Sequence, residues 1–154
     1  MDKKALWNAM LDADMNLRYW DAMIRRYARR DRQARILLAI LSSGTAASLL
    51  LTFGEAWMWK VAISVCAVIS ILLSVFDVPR TIEGMAALKR TWSEYLVDYE
   101  SLWSKRHSFT DADDIRFVQI RKEEAQRTVD EAKFPRDDIL LRLCQAEVRR
   151  SRGL

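Results

Sequence analysis

Two runs of residues without a charge, Ile36 to Phe53 (18 residues) and Val61 to Phe76 (16 residues), stand seven residues apart, joined by GEAWMWK. At 1.5 Å rise per residue, 18 helical residues span about 27 Å, close to the hydrocarbon thickness of a bilayer. So short a connection, with the helix-stopping Gly54 at its start, forces the runs into an antiparallel hairpin. The whole-chain composition, 51% hydrophobic and 30% charged, would suit an ordinary soluble protein. It is the segregation that constrains the fold: residues 36 to 78 hold one Lys against Glu55 and Asp77, while residues 1 to 35 hold nine Lys/Arg against five Asp/Glu. A soluble four-helix protein with these runs at its centre is the alternative, but core helices normally keep a polar face, and neither run does.

The flanks orient the hairpin. Arg18, Arg25, Arg26, Arg29, Arg30, Arg32 and Arg35 crowd before the first run, and Arg80, Lys89 and Arg90 follow the second. The excess of cations on that side places both termini in the cytoplasm and the loop outside, with Trp57 and Trp59 as interfacial anchors. The arginines then contact anionic headgroups; a nucleic-acid role is disfavoured by their position against an apolar run. No secretory signal is expected, because the first 35 residues are amphipathic and charged.

Outside the runs the periodicity is helical. Leu6, Met10, Ala13, Leu17, Trp20, Ile24 and Tyr27 alternate steps of four and three, as do Met85, Leu88, Trp92, Tyr95, Tyr99 and Leu102. Each is the seam of a helix packed along another helix. No Gly or Pro occurs between Met1 and Gly44, so the first helix is free to run unbroken into the first span. Pro79 kinks the chain or restarts a helix at the exit from the second run. Thr110 and Asp113 have capping-box spacing and open a helix to about Lys133, with a weak stripe of Ile115, Val118, Ala125, Val129 and Ala132. Pro135 and Asp137 open a last helix with an apolar patch at Ile139, Leu140, Leu143 and Cys144.

The expected fold is therefore an all-α membrane protein of one domain, residues 1–154. It divides into an amphipathic cytoplasmic helix (1–35), a first span (36–53), an extracytoplasmic turn (54–60), a second span (61–78), a cytoplasmic amphipathic helix (79–107) and C-terminal helices (108–154).

Chemistry has little to work with. His107 is the one histidine, and the four glycines are scattered at 44, 54, 84 and 153, so neither a paired-histidine metal site nor a glycine-rich phosphate loop is present. The adjacent pairs Asp113/Asp114, Glu123/Glu124 and Asp137/Asp138 read as caps and solvated faces. Neither cofactor, metal nor enzymatic activity is expected. Within the second run Ala62, Cys66, Ser70 and Ser74 recur every four residues and end near Asp77. Such small residues pack helices closely; alternatively, in a ring of protomers, they line a pore with Asp77 concentrating cations at its mouth.

In the order of its features the chain resembles the SLATT family, two-transmembrane effectors of bacterial conflict systems. The likeness rests on WDAMIRRYARRDRQARILLAILSSG, on the GEAWMWK turn, on the run from VFDVPR through LKRTWSEYLVDYESLW, and on the Phe134–Pro135 step. The resemblance implies a homo-oligomer in the bacterial inner membrane that forms a pore or perturbs the bilayer in antiphage defence, or else a non-conducting scaffold that recruits a soluble defence protein. Its partners would be membrane lipid, further copies of itself and that soluble protein, with no nucleic acid.

Overall fold

The computed structural model describes residues 2–42, 57, 61, 64–65, 67–71 and 78–153, and every regular element among them is helical. Helix α1 runs Lys3–Ser42, α2 Val78–Ser104, α3 Asp111–Glu131 and α4 Asp138–Ser151. The described residues form two compact units, one of residues 1–24 and 83–154 and the other of residues 25–82. Among the described residues no helix is long and apolar enough to cross a membrane.

The helix boundaries follow local chemistry. Asp2 opens α1 by accepting from the Lys4 amide at 2.9 Å, and the absence of Gly and Pro lets the helix continue to Ser42. Pro79 is the second residue of α2. A capping box opens α3: the Asp113 amide donates to Thr110 Oγ1 at 3.4 Å while the Thr110 amide donates to Asp113 Oδ2 at 3.0 Å. Asp137 caps α4 by accepting from the Ile139 and Leu140 amides. Gly153, at φ 75°, takes the left-handed turn that closes it.

In the first unit α1 and α2 pack antiparallel. Trp7 meets Trp103 with ring centroids 5.0 Å apart, and Lys89 bridges Asp21. The two contacts lie 14 residues apart on both helices, so the pairing holds register over four turns. The buried residues of α2 are Met85, Leu88, Trp92, Tyr95, Tyr99 and Leu102, the six that its period marks. On α1 the seam residues Leu6, Met10, Ala13 and Trp20 are buried, joined by Ala9, Asp14, Tyr19 and Met23, while Leu17 and Ile24 are half-buried. Fully burying a large apolar side chain stabilises by about 1.5–3 kcal/mol, so this paired seam is the main source of the unit's stability.

Helices α3 and α4 complete the core through few residues: Ile120 from α3, Cys144 and Val148 from α4. Here the structure corrects the sequence reading. Ile115, Val118 and Val129 are 64%, 64% and 69% exposed, so the aliphatic stripe of α3 faces outward. On α4 the expected patch is split, with Cys144 inward and Ile139 and Leu143 outward.

Candidate functional site

The second unit carries most of the residues singled out above. Arg25, Arg26, Arg29, Arg30, Arg32 and Arg35 are all exposed on α1, with Arg35 Nε 2.8 Å from Asp31 one turn back. One residue beyond Arg35 the exposed surface turns aliphatic: Ile36 is 52% exposed, Leu37 48% and Ile40 58%. The same holds where residues 57–71 are described. Trp57, Val61, Ser64, Val65, Ala67, Val68, Ser70 and Ile71 are exposed, and only Ile69 is half-buried. Ser70 is thus part of a broadly apolar exposed surface. Ala62, Cys66, Ser74, Asp77 and Trp59 lie outside the described residues.

The first unit holds polar clusters that the sequence reading passed over. Glu124, read above as a solvated carboxylate, is buried at 7% exposure. It accepts from Tyr99 Oη at 2.9 Å and from Arg121 Nη1 at 2.6 Å. Burial raises its carboxyl above the ordinary range, against the hydrogen bond from Tyr99 and the charge of Arg121, while Asp12 across the interface adds to the rise. Burial likewise raises Asp12, opposed by Arg121, and burial with the adjacent Glu124 pushes the Tyr99 phenol well above its usual value. The signal was present in spacing alone: Glu124 follows Phe117 and Ile120 by seven and four residues, in phase with the inward face.

A second cluster ties the ends of the chain. Asp14 accepts from Arg18 Nε at 2.8 Å and from Arg152 Nη2 at 3.3 Å, and Arg18 reaches Glu147 and Ser151 on α4. Arg18 therefore belongs to the α1–α4 contact and not to the arginine girdle. In a third, Glu131 Oε1 accepts from the indole nitrogens of both Trp20 and Trp92, which are each 3% exposed. Next to it a cleft of about 460 Å³ is walled by Tyr19, Trp20, Phe134 and Leu141, with Asn16 and Arg136 among its polar residues. Tyr19 Oη, at the same place, accepts from the Asp137 amide at 2.9 Å.

The first two clusters are saturated with their own partners, as fold-holding networks are. Among the described residues no group of three or more His, Cys, Asp or Glu is arranged to hold a metal ion. His107 is exposed in the turn after α2. The aliphatic residues beside the arginines are different: Ile36, Leu37 and Ile40 are each about half exposed. Compared with protein-family models, curated proteins and solved structures, the chain matches none of them.

Proposed function

We propose that this chain is an integral membrane protein whose segment from Ile36 to Val78 lies in the bilayer as a two-span hairpin, with the helices of the first unit in the cytoplasm. The observation that carries this reading is the change along α1 from six exposed arginines to exposed Ile36, Leu37 and Ile40 within a single residue step. Exposed aliphatic residues in water cost about 25 cal/mol per Å², and a contiguous patch of them marks a surface that something apolar covers. Lipid fits that surface, because the adjoining arginines supply headgroup contacts and the cytoplasmic bias in one stroke. Residues 36 to 78 also hold only three charged side chains.

The architectural resemblance to SLATT effectors extends this to function: an oligomer that opens a pore or perturbs the inner membrane in a bacterial defence system. Ala62, Cys66, Ser70 and Ser74 would pack the spans or line the lumen, and Asp77 would favour cations at its inner mouth. Two measurements test the reading. After a carbonate wash the full chain should stay with the membrane pellet, and in liposomes it should release ions with a cation preference that Asp77→Asn weakens. Recovery in the carbonate supernatant would refute the first part, and tight liposomes containing oligomeric protein the second.

The outward Ile139 and Leu143 on α4, 76% and 62% exposed, favour a second reading, a non-conducting scaffold that holds a soluble protein through its C-terminal helices. Deleting residues 108–154 would strip Ile120, Cys144 and Val148 from the core, so the cleaner variant is Ile139→Glu with Leu143→Glu. Under this reading the pair abolishes co-purification of the soluble partner and leaves membrane retention intact.

A further inference from the structure

The cleft beside Glu131 joins a carboxylate without a cation to an aromatic floor. Glu131 Oε1 takes both indole hydrogens, those of Trp20 and Trp92. Oε2 has no partner among the described residues and is open to solvent, and no lysine or arginine among them pairs with this carboxylate. The cations nearest to it in sequence are engaged elsewhere, Lys133 with Asp130 and Arg136 with Asp138, each at 2.8 Å.

The cleft's volume of about 460 Å³ lies in the range of small-molecule sites. Tyr19 and Trp20, 4% and 3% exposed, form its floor, and the half-buried Phe134 with the exposed Pro135 and Arg136 its rim. Tyr19 and Phe134 each stand nearly perpendicular to Trp20, at 74° and 73°. Parallel rings would take a flat ligand between them; rings set at right angles suit a rounded one.

We propose that this cleft binds a small organic ammonium, its cationic end at the Glu131 carboxylate and its carbon skeleton against Tyr19, Trp20 and Phe134. Aromatic rings attract a cation through their quadrupole, and the attraction grows as the cation leaves water, which an alkylated ammonium does more readily than a hydrated metal ion. A bare metal ion would need more oxygen ligands than one carboxylate and the Asn16 amide supply. An anion would meet Glu131 with no unpaired cation in the cleft to offset it, since Arg136 is neutralised by Asp138.

The proposal does not rest on the membrane reading, since every residue it uses belongs to the first unit. Choline is the probe, and 3,3-dimethylbutan-1-ol, which has its shape without its charge, is the control. The full chain in a maltoside detergent is titrated with choline, and saturation passed from the protein's aromatic protons to the choline methyl groups is followed by NMR. The transfer should saturate, and the neutral alcohol should displace choline at least tenfold less well than unlabelled choline does. Glu131→Gln keeps a carbonyl oxygen for the indoles and should weaken binding about tenfold through loss of the opposite charge, with the near-UV circular dichroism unchanged. Arg136→Gln removes a like charge from the exposed rim, leaves the core alone and should tighten binding about two- to threefold, an effect that a merely structural role would not give. Glycerophosphocholine separates the two sources of such a cation: better competition than choline's assigns the cleft to a lipid headgroup, poorer competition to a free amine, and either supports the ammonium. Transfer that does not saturate, equal displacement by the neutral alcohol, or an Arg136→Gln variant that binds choline no better than the parent would overturn the proposal.

Discussion

Gly84 on α2 leaves no room for an added carbon. A Cβ built there stands 2.6 Å from Cζ of Phe134 and 3.1 Å from its Cε1. Carbon atoms rest about 3.5–4.0 Å apart, so Gly84→Ala forces the ring back by about 1 Å. That ring is set edge-on to Trp20, with centroids 5.8 Å apart and planes at 73°, and Trp20 is nearly fully buried. Displacing it is an overpacking cost of about 1–3 kcal/mol, whereas replacing a mid-helix glycine by alanine gains about 1 kcal/mol in propensity. The net expectation is a loss of about 1 kcal/mol. In a Phe134→Ala background the obstacle is gone, so the same change should stabilise by about 1 kcal/mol, leaving a coupling of about 2 kcal/mol between the two sites. The assay is a double-mutant cycle on the full chain in mild detergent, with unfolding followed by tryptophan fluorescence. If Gly84→Ala stabilises the parent as much as it stabilises Phe134→Ala, the ring is not seated on Gly84 and the placement of the Phe134–Pro135 step is wrong.

Glu131→Ala should destabilise the unit by about 2–4 kcal/mol, because it leaves the buried indole N–H groups of Trp20 and Trp92 without an acceptor; Glu131→Gln, which keeps a carbonyl oxygen, should lose less than half as much, and equal losses would contradict the shared hydrogen bond. Glu124, faced by Tyr99, Arg121 and Asp12, holds its proton more tightly folded than unfolded. As pH rises from the ordinary 4.5 through the raised value the unfolded chain therefore binds fewer protons, and stability falls. Glu124→Gln should flatten that part of a stability-versus-pH curve, and an unchanged slope would show that Glu124 is not its source. Thr110→Ala should cost about 1 kcal/mol through loss of the cap on α3, seen as faster amide exchange confined to the first turn of that helix; uniform exchange would count against the capping box.

What was legible in the sequence depended on whether a single periodicity existed to be read. On α2 one stripe dominates, large and aromatic at 85, 88, 92, 95, 99 and 102, and the fold uses that stripe. On α3 two stripes have the same helical period, one aliphatic through Ile115, Val118 and Val129 and one mixed through Asp113, Phe117, Ile120 and Glu124. Hydrophobicity favours the first. The fold buries the second: Glu124 meets Tyr99 of α2 there, with Arg121 of its own helix beside it, while Asp113 closes the capping box, so a polar partner on another element and a local cap favour that face. Arg18 was hidden for a related reason: its partners Glu147 and Ser151 are more than a hundred residues away. Local rules did hold where the chemistry is local, at Thr110 with Asp113 and at Asp137. The arginine girdle was legible as charge, and the structure added that the aliphatic residues after it are exposed.

The central claim is that the exposed surface beginning at Ile36 faces lipid. Spin labels on cysteines introduced one at a time at positions 33, 37, 40, 65 and 68 of the full chain in bilayers, on a Cys66→Ala background that keeps the buried Cys144 and serves as the blank, test it most directly through their relaxation by oxygen and by a water-soluble nickel chelate. The account predicts that the label at 33 responds mainly to nickel and those at 37, 40, 65 and 68 mainly to oxygen, with the crossover between 33 and 37. Nickel access at 37, 40, 65 and 68 equal to that at 33 would contradict it.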